Sequence, residues 1–542
     1  MRQVILFFVI SFFIVSCTAN KKKVDMIVHN ALVYSVDSDF QMFESFAVKN
    51  GKFVDVGTSK DILDQYQSEN TVDMKGKIVY PGFFDAHCHF YGYGLNLQKV
   101  DLSGTKSFDE VLQKLKEFSE NHDVDWILGR GWDQNDWEVK EFPVNTKLNE
   151  LFPNTPVVLT RIDGHALIAN KVALERAGLT IEMKVEGGKI MLDGNRLTGV
   201  LIDNAQEMIY HAIPNQSKSL KTNALLEAQK ACFQVGLTTV DDAGLSKNTV
   251  LLIDELQKSG KLKMRVYAML NPSKENADYF IKNGQYKTDL LNVRSIKLYA
   301  DGALGSRGAC LIKPYSDEPA NSGFLISGID FLDSLCNLAY ENNYQINTHA
   351  IGDSANRVML KLYSKYLKTK NDKRWRIEHA QVISHEDFNL FSQFSIVPSV
   401  QPTHATSDMY WAEDRLGGER VKYAYVYKKL LELNGWIAAG SDFPVEDINP
   451  LYGFYAAVAR QDQKSWPENG FQMENAISRK QALKAMTIWA AKSNFEENEK
   501  GSIEIGKFAD FVVANEDIME IEIHKVPKVK VFQTYIAGEK VF

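Results

Sequence analysis

The stretch over residues 77–90, KIVYPGFFDAHCHF, restricts the fold more than any other part of the sequence. Residues 78–80 have the β-branched and aromatic character of a buried strand, which leads toward His87 and His89. Side chains two apart on an extended chain point the same way, and neutral imidazole is the commonest protein metal ligand. The stretch therefore predicts two histidines at a strand end that bind one metal ion, or two unrelated histidines if no later strand adds a ligand.

The N-terminus has the pattern of a targeting segment. An apolar run over residues 4–15 follows Arg2 and is too short for a comfortable membrane span, which suits a secretory signal. The run ends at Ser16 and Cys17 and resembles a bacterial lipoprotein signal, although position 14 is Ile where Leu is usual. We expect residues 1–16 to be removed, Cys17 to carry a lipid and residues 17–23 to form a tether. The alternatives are a plain signal peptide or an N-terminal anchor helix.

Net charge limits the classes of partner that are expected, and the cysteine pattern limits the kinds of site. The net charge of −7 over 542 residues is mild, and no run of five Lys or Arg occurs, so nucleic-acid binding has little support. We expect a small-molecule substrate and a membrane contact through the lipid of Cys17, in the inner or outer membrane of a bacterial cell envelope; a homodimer is left open. The remaining cysteines are widely spaced and form no CxxC pair, which argues against a disulfide framework or a zinc-thiolate site: Cys88, Cys232, Cys310 and Cys336.

The order of strand-like and helical segments predicts an α/β fold. Residues 24–77 and 497–542 alternate like short strands with Gly turns, so the two ends are predicted to form one small β-sandwich. Between them, residues 78–496 alternate between strands and helices, which predicts a (β/α)₈ TIM barrel with its active site at the carboxyl ends of the strands. The eight predicted strands are 78–85, 236–240, 264–270, 294–299, 344–348, 374–378, 394–400 and 436–440. Residues 91–218 are too long for a simple connection and are predicted to be an insertion over the barrel mouth.

Polar residues with metal-binding chemistry follow several of these strands. His87 and His89 follow the first, Lys297 lies in the fourth, His349 follows the fifth, His379 the sixth and Asp442 the eighth. Because the carboxyl ends of the strands meet at one face of a barrel, we expect these side chains to converge. For Lys297 alone, the alternative is a salt bridge to Asp301 or to another neighbouring carboxylate.

Seven motifs resemble the metal-dependent amidohydrolase superfamily, and more closely its amidohydrolase-3 branch, which includes N-substituted formamide deformylases. They are PGFFDAHCHF, GRGWDQNDW, RIDGHALIAN, KLYADGALGSRGA, THAIGD, IEHAQ and GSDFPV. The resemblance covers nearly everything from about residue 24 to the C-terminus. It implies a distorted (β/α)₈ barrel flanked by a β-sandwich built from both termini.

The resemblance also implies a ligand set and a reaction. His87, His89 and Asp442 would bind one divalent metal ion, with zinc as the expected metal, and His349 and His379 would bind a second. Lys297 would have to be neutral, or carry a carbamate that bridges two ions. A metal-bound hydroxide would attack an amide or other non-peptide C–N bond, with Asp442 as general base and then general acid.

Three further residues are candidates for substrate binding. Trp132 and His165 match positions near the pocket in the resembling branch, where they would orient substrate or stabilise an oxyanion; packing roles are the alternative. Arg307 would meet a substrate carboxylate or hold its own loop, and His404 is a weaker candidate for substrate contact. Two other functions are left open: the same site acting on an ester, cyclic amide or phosphoester or isomerising its substrate, and a non-catalytic envelope binding protein on a decayed barrel.

Overall fold

Eight parallel strands form a nearly closed barrel in the computed structural model, which describes residues 21–121, 124–214 and 216–542. The strands follow one another around the barrel in chain order, so the predicted barrel is confirmed. They are β1 (Phe83–Cys88), β2 (Leu237–Leu245), β3 (Arg265–Leu270), β4 (Leu291–Tyr299), β5 (Gln345–Ala350), β6 (Arg376–His379), β7 (Val397–Val400) and β8 (Ala438–Ala439). A short strand, Tyr286–Lys287, pairs antiparallel with β4 outside this path.

The first predicted strand, 78–85, is wrong in its extent, because the chain changes sheets at Gly82. Ile78–Pro81 pairs antiparallel with Phe511–Ala514, whereas β1 pairs parallel with β2. The backbone of Gly82 lies so close to Thr238 that a Cβ at this position would come within 2.3 Å of the Thr238 hydroxyl oxygen. The apolar run is therefore two strands of two sheets, joined at a residue that must be small.

Helices cover the outside of the barrel and bury an apolar face against the strands. Several begin at a serine whose side chain accepts a backbone N–H two or three residues into the helix; Ser217 does so for Leu220 and Ser246 for Thr249. The helices that connect successive barrel strands are Lys218–Gln234, Lys247–Lys258, Lys274–Tyr279, Ile329–Glu341, Asp353–Leu367, Phe388–Gln393 and Tyr427–Asn434. Pro450–Ala459, Arg479–Ala485 and Ile488–Ser493 follow β8.

Of two smaller sheets, the first consists of strands near the N-terminus and the second combines strands from both ends of the chain. One has the order Lys52–Gly57, Ser45–Lys49, Met26–His29, Thr71–Asp73; the other has Glu539–Lys540, Val531–Ile536, Phe511–Ala514, Ile78–Pro81, Leu32–Tyr34, Met42–Phe43. The sheets share an apolar cluster, in which the ring centroids of Phe46 and Phe511 lie 5.0 Å apart. A separate sandwich domain of residues 24–77 and 497–542 stays a prediction.

Residues 91–218 contain a six-stranded sheet of their own. Its order is Val100–Asp101, Ile127–Trp132, Val157–Arg161, Ala166–Ala169, Arg196–Asp203, Gly188–Asp193. Helices Phe108–Asn121, Thr146–Leu151, Lys171–Arg176 and Glu207–Ala212 accompany this sheet, and an apolar cluster lies on each of its faces. The segment therefore has its own core, and several of its polar residues reach the barrel mouth, as described below.

The N-terminal predictions fall largely outside the described residues. Residues 1–20 are not described, so the signal segment 1–16 and the lipidation of Cys17 stay predictions. Lys22–Lys23 pairs with Tyr66–Gln67, so the fold includes the last residues of the stretch predicted as a tether. In the three described segments, no helix is both long and apolar enough to cross a bilayer.

Candidate metal centre

The end of β1 and the segment after β8 are joined by hydrogen bonds that place His87 and His89 next to Asp442. The backbone N–H of Asp442 donates to the His87 carbonyl at 2.7 Å, and the N–H of His89 donates to the Phe443 carbonyl at 2.8 Å. The buried carboxylate of Asp85 accepts from the Ser441 hydroxyl at 2.6 Å. These contacts continue the barrel ladder past β8, so the position of Asp442 relative to the two histidines is set by backbone as well as side chains.

Two of the candidate ligands have backbone conformations that side chains rarely adopt. The φ angle is +72° at His379 and +63° at Asp442. Such residues cost on the order of 1 to 3 kcal/mol each and are concentrated at functional sites. At His379 this left-handed conformation lies at the end of β6. Consecutive side chains of a strand normally point to opposite faces, but here the side chains of Glu378 and His379 both point toward the candidate centre.

His87, His89 and Asp442 form the first group that could hold a cation. Their ligand atoms lie within 4.8 Å of one another. Nε2 of His87 and of His89 lie 3.5 and 3.3 Å from Oδ1 of Asp442. Nδ1 of His87 lies 2.6 Å from Oε2 of the buried Glu378. Because a carboxylate accepts the Nδ1–H, the Nε2 lone pair of His87 is directed toward the centre.

A second group shares Asp442 with the first. It contains His379, His404 and Asp442, whose ligand atoms also lie within 4.8 Å of one another. His404 Nδ1 lies 2.9 Å from Glu446 Oε1, and His404 Nε2 lies 3.5 Å from Asp442 Oδ2. From the sequence, His404 is only a weaker candidate for substrate contact, whereas the structure places it beside Asp442 at this centre.

His349 lies against this group, with its ring centroid 4.6 Å from that of His379. Its Nε2 faces away from the centre, 3.4 Å from the Gly302 carbonyl oxygen and 3.7 Å from Asp301 Oδ1. Asp301 is fixed in turn by backbone N–H groups of Ile351 and Gly352 at 3.0 and 2.8 Å. The contacts of Nε2 orient the ring of His349, and they leave Nδ1 as the nitrogen that could bind a cation.

Lys297 is fully buried in β4, and its Nζ lies 2.9 Å from Nε2 of His87. Burial lowers the pKa of Lys297 to about 8, against the opposing influence of Glu378 and Asp442. Among the described residues, no ion pair joins Lys297 to Asp301, whose carboxylate accepts from backbone N–H groups. A buried lysine whose pKa is lowered in this way has a larger neutral fraction near neutral pH than an exposed lysine has.

The protonation states of the other ligand candidates fit a divalent cation, whereas hydrogen bonds with Asp442 and Glu446 outweigh burial and raise the pKa of His404 to about 10, which favours its protonated form. Burial lowers the pKa of His87 and lowers that of His349 and His379 well below the usual value, so neutral imidazoles are favoured. Burial alone would raise the pKa of Asp442, but hydrogen bonds with His404 and His89 hold it well below its usual value. Among the described residues, His379 Nδ1 is buried without a hydrogen-bond partner. Neutral imidazoles, an ionised carboxylate and an unpartnered buried ligand atom are the donor set that zinc and similar ions prefer.

A cavity of about 260 Å³ opens onto these side chains. His349, His379, His404 and Asp442 line it from the barrel, and Asp133, Arg161, Asp163 and His165 line it from the segment 91–218. His165 Nδ1 lies 2.6 Å from Asp203 Oδ1, and its ring centroid lies 5.0 Å from that of His349. The structure therefore brings the predicted His165 to the candidate centre.

Trp132 and Arg307 lie away from the centre. The side chain of Trp132 is 1% exposed and packs in an apolar cluster, where its indole N–H donates to the Leu159 carbonyl at 2.8 Å. Arg307 pairs with Asp317 at 3.0 Å and lines a different cavity from the candidate ligands. The surroundings of Trp132 agree with the packing alternative, and those of Arg307 agree with the alternative that it holds its own loop.

Comparison with known proteins agrees with this geometry. A sequence profile of the amidohydrolase family matches residues 70–542. This chain belongs to the amidohydrolase family. Its relatives include the protein LONG AFTER FAR-RED 3 of Arabidopsis thaliana, with 33% identity over 96% of this chain and 91% of that one. They also include an N-substituted formamide deformylase of Arthrobacter pascens, with 24% identity over 95% of this chain and 97% of the relative.

A solved structure has the same overall fold as this amidohydrolase. It is an uncharacterized metal-dependent hydrolase from Pyrococcus horikoshii, with 27% identity and a TM-score of 0.76, covering 92% of this chain and 99% of that one. Family membership and this likeness establish that the chain has the fold of a metal-dependent hydrolase. A divalent metal is supported, since the donor groups described above have the residue types and spacing that such an ion requires.

Proposed function

We propose that this amidohydrolase cleaves an amide or other non-peptide C–N bond of a small molecule, with one or two divalent cations, zinc foremost. The observation that carries the proposal is the convergence of His87, His89, His379 and Asp442 at one barrel mouth, in two groups that share Asp442. The name of the formamide deformylase relative, at 24% identity, supports a C–N bond as the target.

The side chains divide into holding and proton-handling roles. His87, His89 and Asp442 would hold one ion, and His379 with His349 or His404 would hold a second. A divalent cation bound there lowers the pKa of a coordinated water and polarises a carbonyl oxygen. The ionised carboxylate of Asp442 would accept the proton from the attacking water and return it to the leaving nitrogen, as general base and then general acid.

Lys297 and His165 would complete the site. The lowered pKa of Lys297 increases the fraction of neutral amine, which is the form that can react with CO₂ to give a bridging carbamate. His165, oriented by Asp203 beside His349, would position the substrate carbonyl or stabilise negative charge that develops on its oxygen.

The test is release of amine from a panel of N-formyl and N-acyl compounds. Wild type should release amine, and Asp442→Asn should lower kcat/KM by about 10² to 10⁴ because the proton acceptor is lost. Asp447→Asn, an exposed carboxylate nearby, is the control and should behave as wild type. Ester, lactam or phosphoester turnover without amine release would favour the same centre acting on another bond, and absence of all turnover would favour a binding protein.

The location of the protein is a separate proposal. The pattern of residues 2–17 supports a lipid at Cys17 that holds the mature protein at a bacterial cell envelope. Labelling cells with a radioactive fatty acid should mark wild type and leave Cys17→Ser unlabelled. Equal labelling of both proteins would contradict the anchor.

A further inference from the structure

A second cavity, of about 480 Å³, opens on the same candidate ligands from another side. It shares His165, His349, His379 and Asp442 with the cavity described above, and Lys297 also lines it. Its remaining walls include Lys99, Arg130, Tyr210 and Tyr299. We call this second cavity the basic lobe, after Lys99 and Arg130. A molecule whose reacting bond lies at the candidate centre can therefore extend into either cavity.

Lys99 and Arg130 have polar contacts but no ion pair among the described residues. Lys99 Nζ donates to the Asn96 side-chain oxygen at 3.0 Å, and Arg130 Nη2 donates to the Ile162 carbonyl at 2.8 Å. Nε of Arg130 is buried and has no hydrogen-bond partner in the part of the chain that the structure describes. Burial, and next the charge of Arg130, lower the pKa of Lys99 to about 8, so the two cations are close enough to repel each other.

Arg161, which lines the first cavity, differs from Arg130 in having charged partners within the protein. Arg161 donates to Asp163 at 2.5 Å and to Gln134 at 2.8 Å, and it also pairs with Asp133. Its charge and its donors are therefore already satisfied within the protein. Arg130 has the same chemistry, yet it keeps a buried donor free beside the candidate centre.

Among the described residues, no carboxylate of the basic lobe forms an ion pair with either cation, although the charges of Asp163 and Asp442 act on Arg130 from a distance. Asp163 is paired with Arg161, and Asp203 with His165. Asp442 belongs to the candidate metal centre, and Glu207, the remaining carboxylate of the lobe, is exposed to solvent. Partly desolvated cations without a partner are unfavourable unless a ligand supplies the opposite charge.

We propose that the basic lobe binds a carboxylate or phosphate group of the substrate through Arg130 and Lys99, so that the enzyme selects anionic small molecules. This inference rests on the proposed function, because it assigns the lobe to the substrate of the same centre. The planar guanidinium of Arg130 suits an oxyanion, and Lys99 adds a second positive charge.

Binding of inorganic phosphate tests the lobe without reference to turnover. Calorimetry at constant ionic strength on the protein as purified would compare wild type with Arg130→Gln, Lys99→Gln and the surface control Arg196→Gln. We expect Kd to rise about tenfold or more in each lobe variant, as for loss of one charged hydrogen bond, and to stay within about twofold in the control. Lys99→Gln keeps the test decisive if Arg130→Gln does not fold.

Two binding results would overturn the proposal. One is a wild type that does not bind phosphate. The other is unchanged binding in both lobe variants, which is expected if phosphate binds only at the candidate metal ligands or adventitiously at the surface.

Turnover of paired amides tests the selectivity. The two members of a pair differ only in carrying a carboxylate or the uncharged carboxamide. Wild type should prefer the carboxylate by about tenfold or more in kcat/KM, and Arg130→Gln should lose that preference, mainly through KM. Turnover of both members with equal efficiency in wild type would overturn this inference and leave the proposed function intact. Phosphate binding that depends on Arg130, without cleavage of any amide, would support the basic lobe as an anion site and contradict the proposed function.

Discussion

Nδ1 of His87 lies 2.6 Å from Oε2 of Glu378, across the barrel between β1 and β6. Both side chains are fully buried. Burial alone would raise the pKa of Glu378, but the contact with His87, aided by Arg376 and Lys297, holds it below its usual value. An ionised glutamate therefore fixes the ring orientation of His87 and leaves Nε2 available to a metal ion.

Replacing Glu378 should weaken metal binding without removing a ligand. We expect Glu378→Gln to lower metal affinity about 10- to 100-fold, as is typical when the partner of a metal-bound histidine is changed. The measurement is competition with a chelator, monitored by metal content. Glu386→Gln is the control, since Glu386 is exposed and pairs with Arg357, away from the candidate centre. Unchanged affinity in Glu378→Gln would show that Glu378 is not needed to orient His87.

Replacing Lys297 distinguishes a centre with one metal ion from a centre with two. If its amine carries a bridging carbamate, Lys297→Ala should reduce two metal ions per chain to one or none and abolish amine release. Added short-chain carboxylates, which can replace the carbamate, should restore part of the lost activity. One ion per chain in both proteins, with similar activity, would return Lys297 to a structural role beside His87.

Stability should depend on pH through the buried Asp242. Burial raises the pKa of Asp242 to about 7, although backbone N–H groups of Tyr91 and Phe90 oppose the shift. The folded protein thus keeps the proton while the unfolded chain loses it near pH 4. The stability from this group is complete below about pH 4, falls as pH rises and is lost by about pH 7.

Asp242→Asn should remove this dependence. Guanidinium unfolding at pH 4.5 and pH 7.5 should show that wild type loses about 3 kcal/mol more than the variant between the two conditions. Asp39→Asn, at an exposed position, should follow wild type. A wild type and an Asp242→Asn variant with parallel pH profiles would show that Asp242 is ionised throughout this range.

Trp132 should affect stability and leave catalysis unchanged. Trp132→Phe removes the donor to the Leu159 carbonyl and part of a packed side chain, so the free energy of unfolding should fall by about 1 to 3 kcal/mol. Values of kcat/KM should stay within about twofold of wild type. A large loss of kcat/KM with unchanged stability would instead support the substrate-binding role predicted from the sequence.

The barrel was predictable from sequence because its signals are local. Apolar runs alternate with helical ones, and His87, His349 and His379 each lie at or near a strand end, so their convergence follows from barrel geometry alone. The break at Gly82 was missed because residues 78–85 are continuously apolar, and only the crowding against Thr238 shows where one sheet ends.

The contacts that orient the ligands could not be predicted in the same way. Glu378 precedes His379 in the motif IEHAQ, and strand alternation would place the two side chains on opposite faces. The positive φ of His379 breaks the alternation, so both side chains lie at the candidate centre. Asp301 and His404 depend on pairings between residues far apart in the chain, for which the sequence carries no periodic signal. The family motifs did contain two of these residues, Asp301 in KLYADGALGSRGA and Glu378 in IEHAQ.

Metal content per chain tests the central claim most directly. The soluble form that starts after Cys17 would be purified as wild type and as the double variant His87→Ala, His89→Ala, and both would be analysed by mass spectrometry of bound metals. We predict one or two divalent cations per wild-type chain, and fewer in the variant together with loss of amine release. A wild type that binds no metal and still cleaves its substrate, or a variant that keeps the full metal content, would contradict a metal centre built on these histidines.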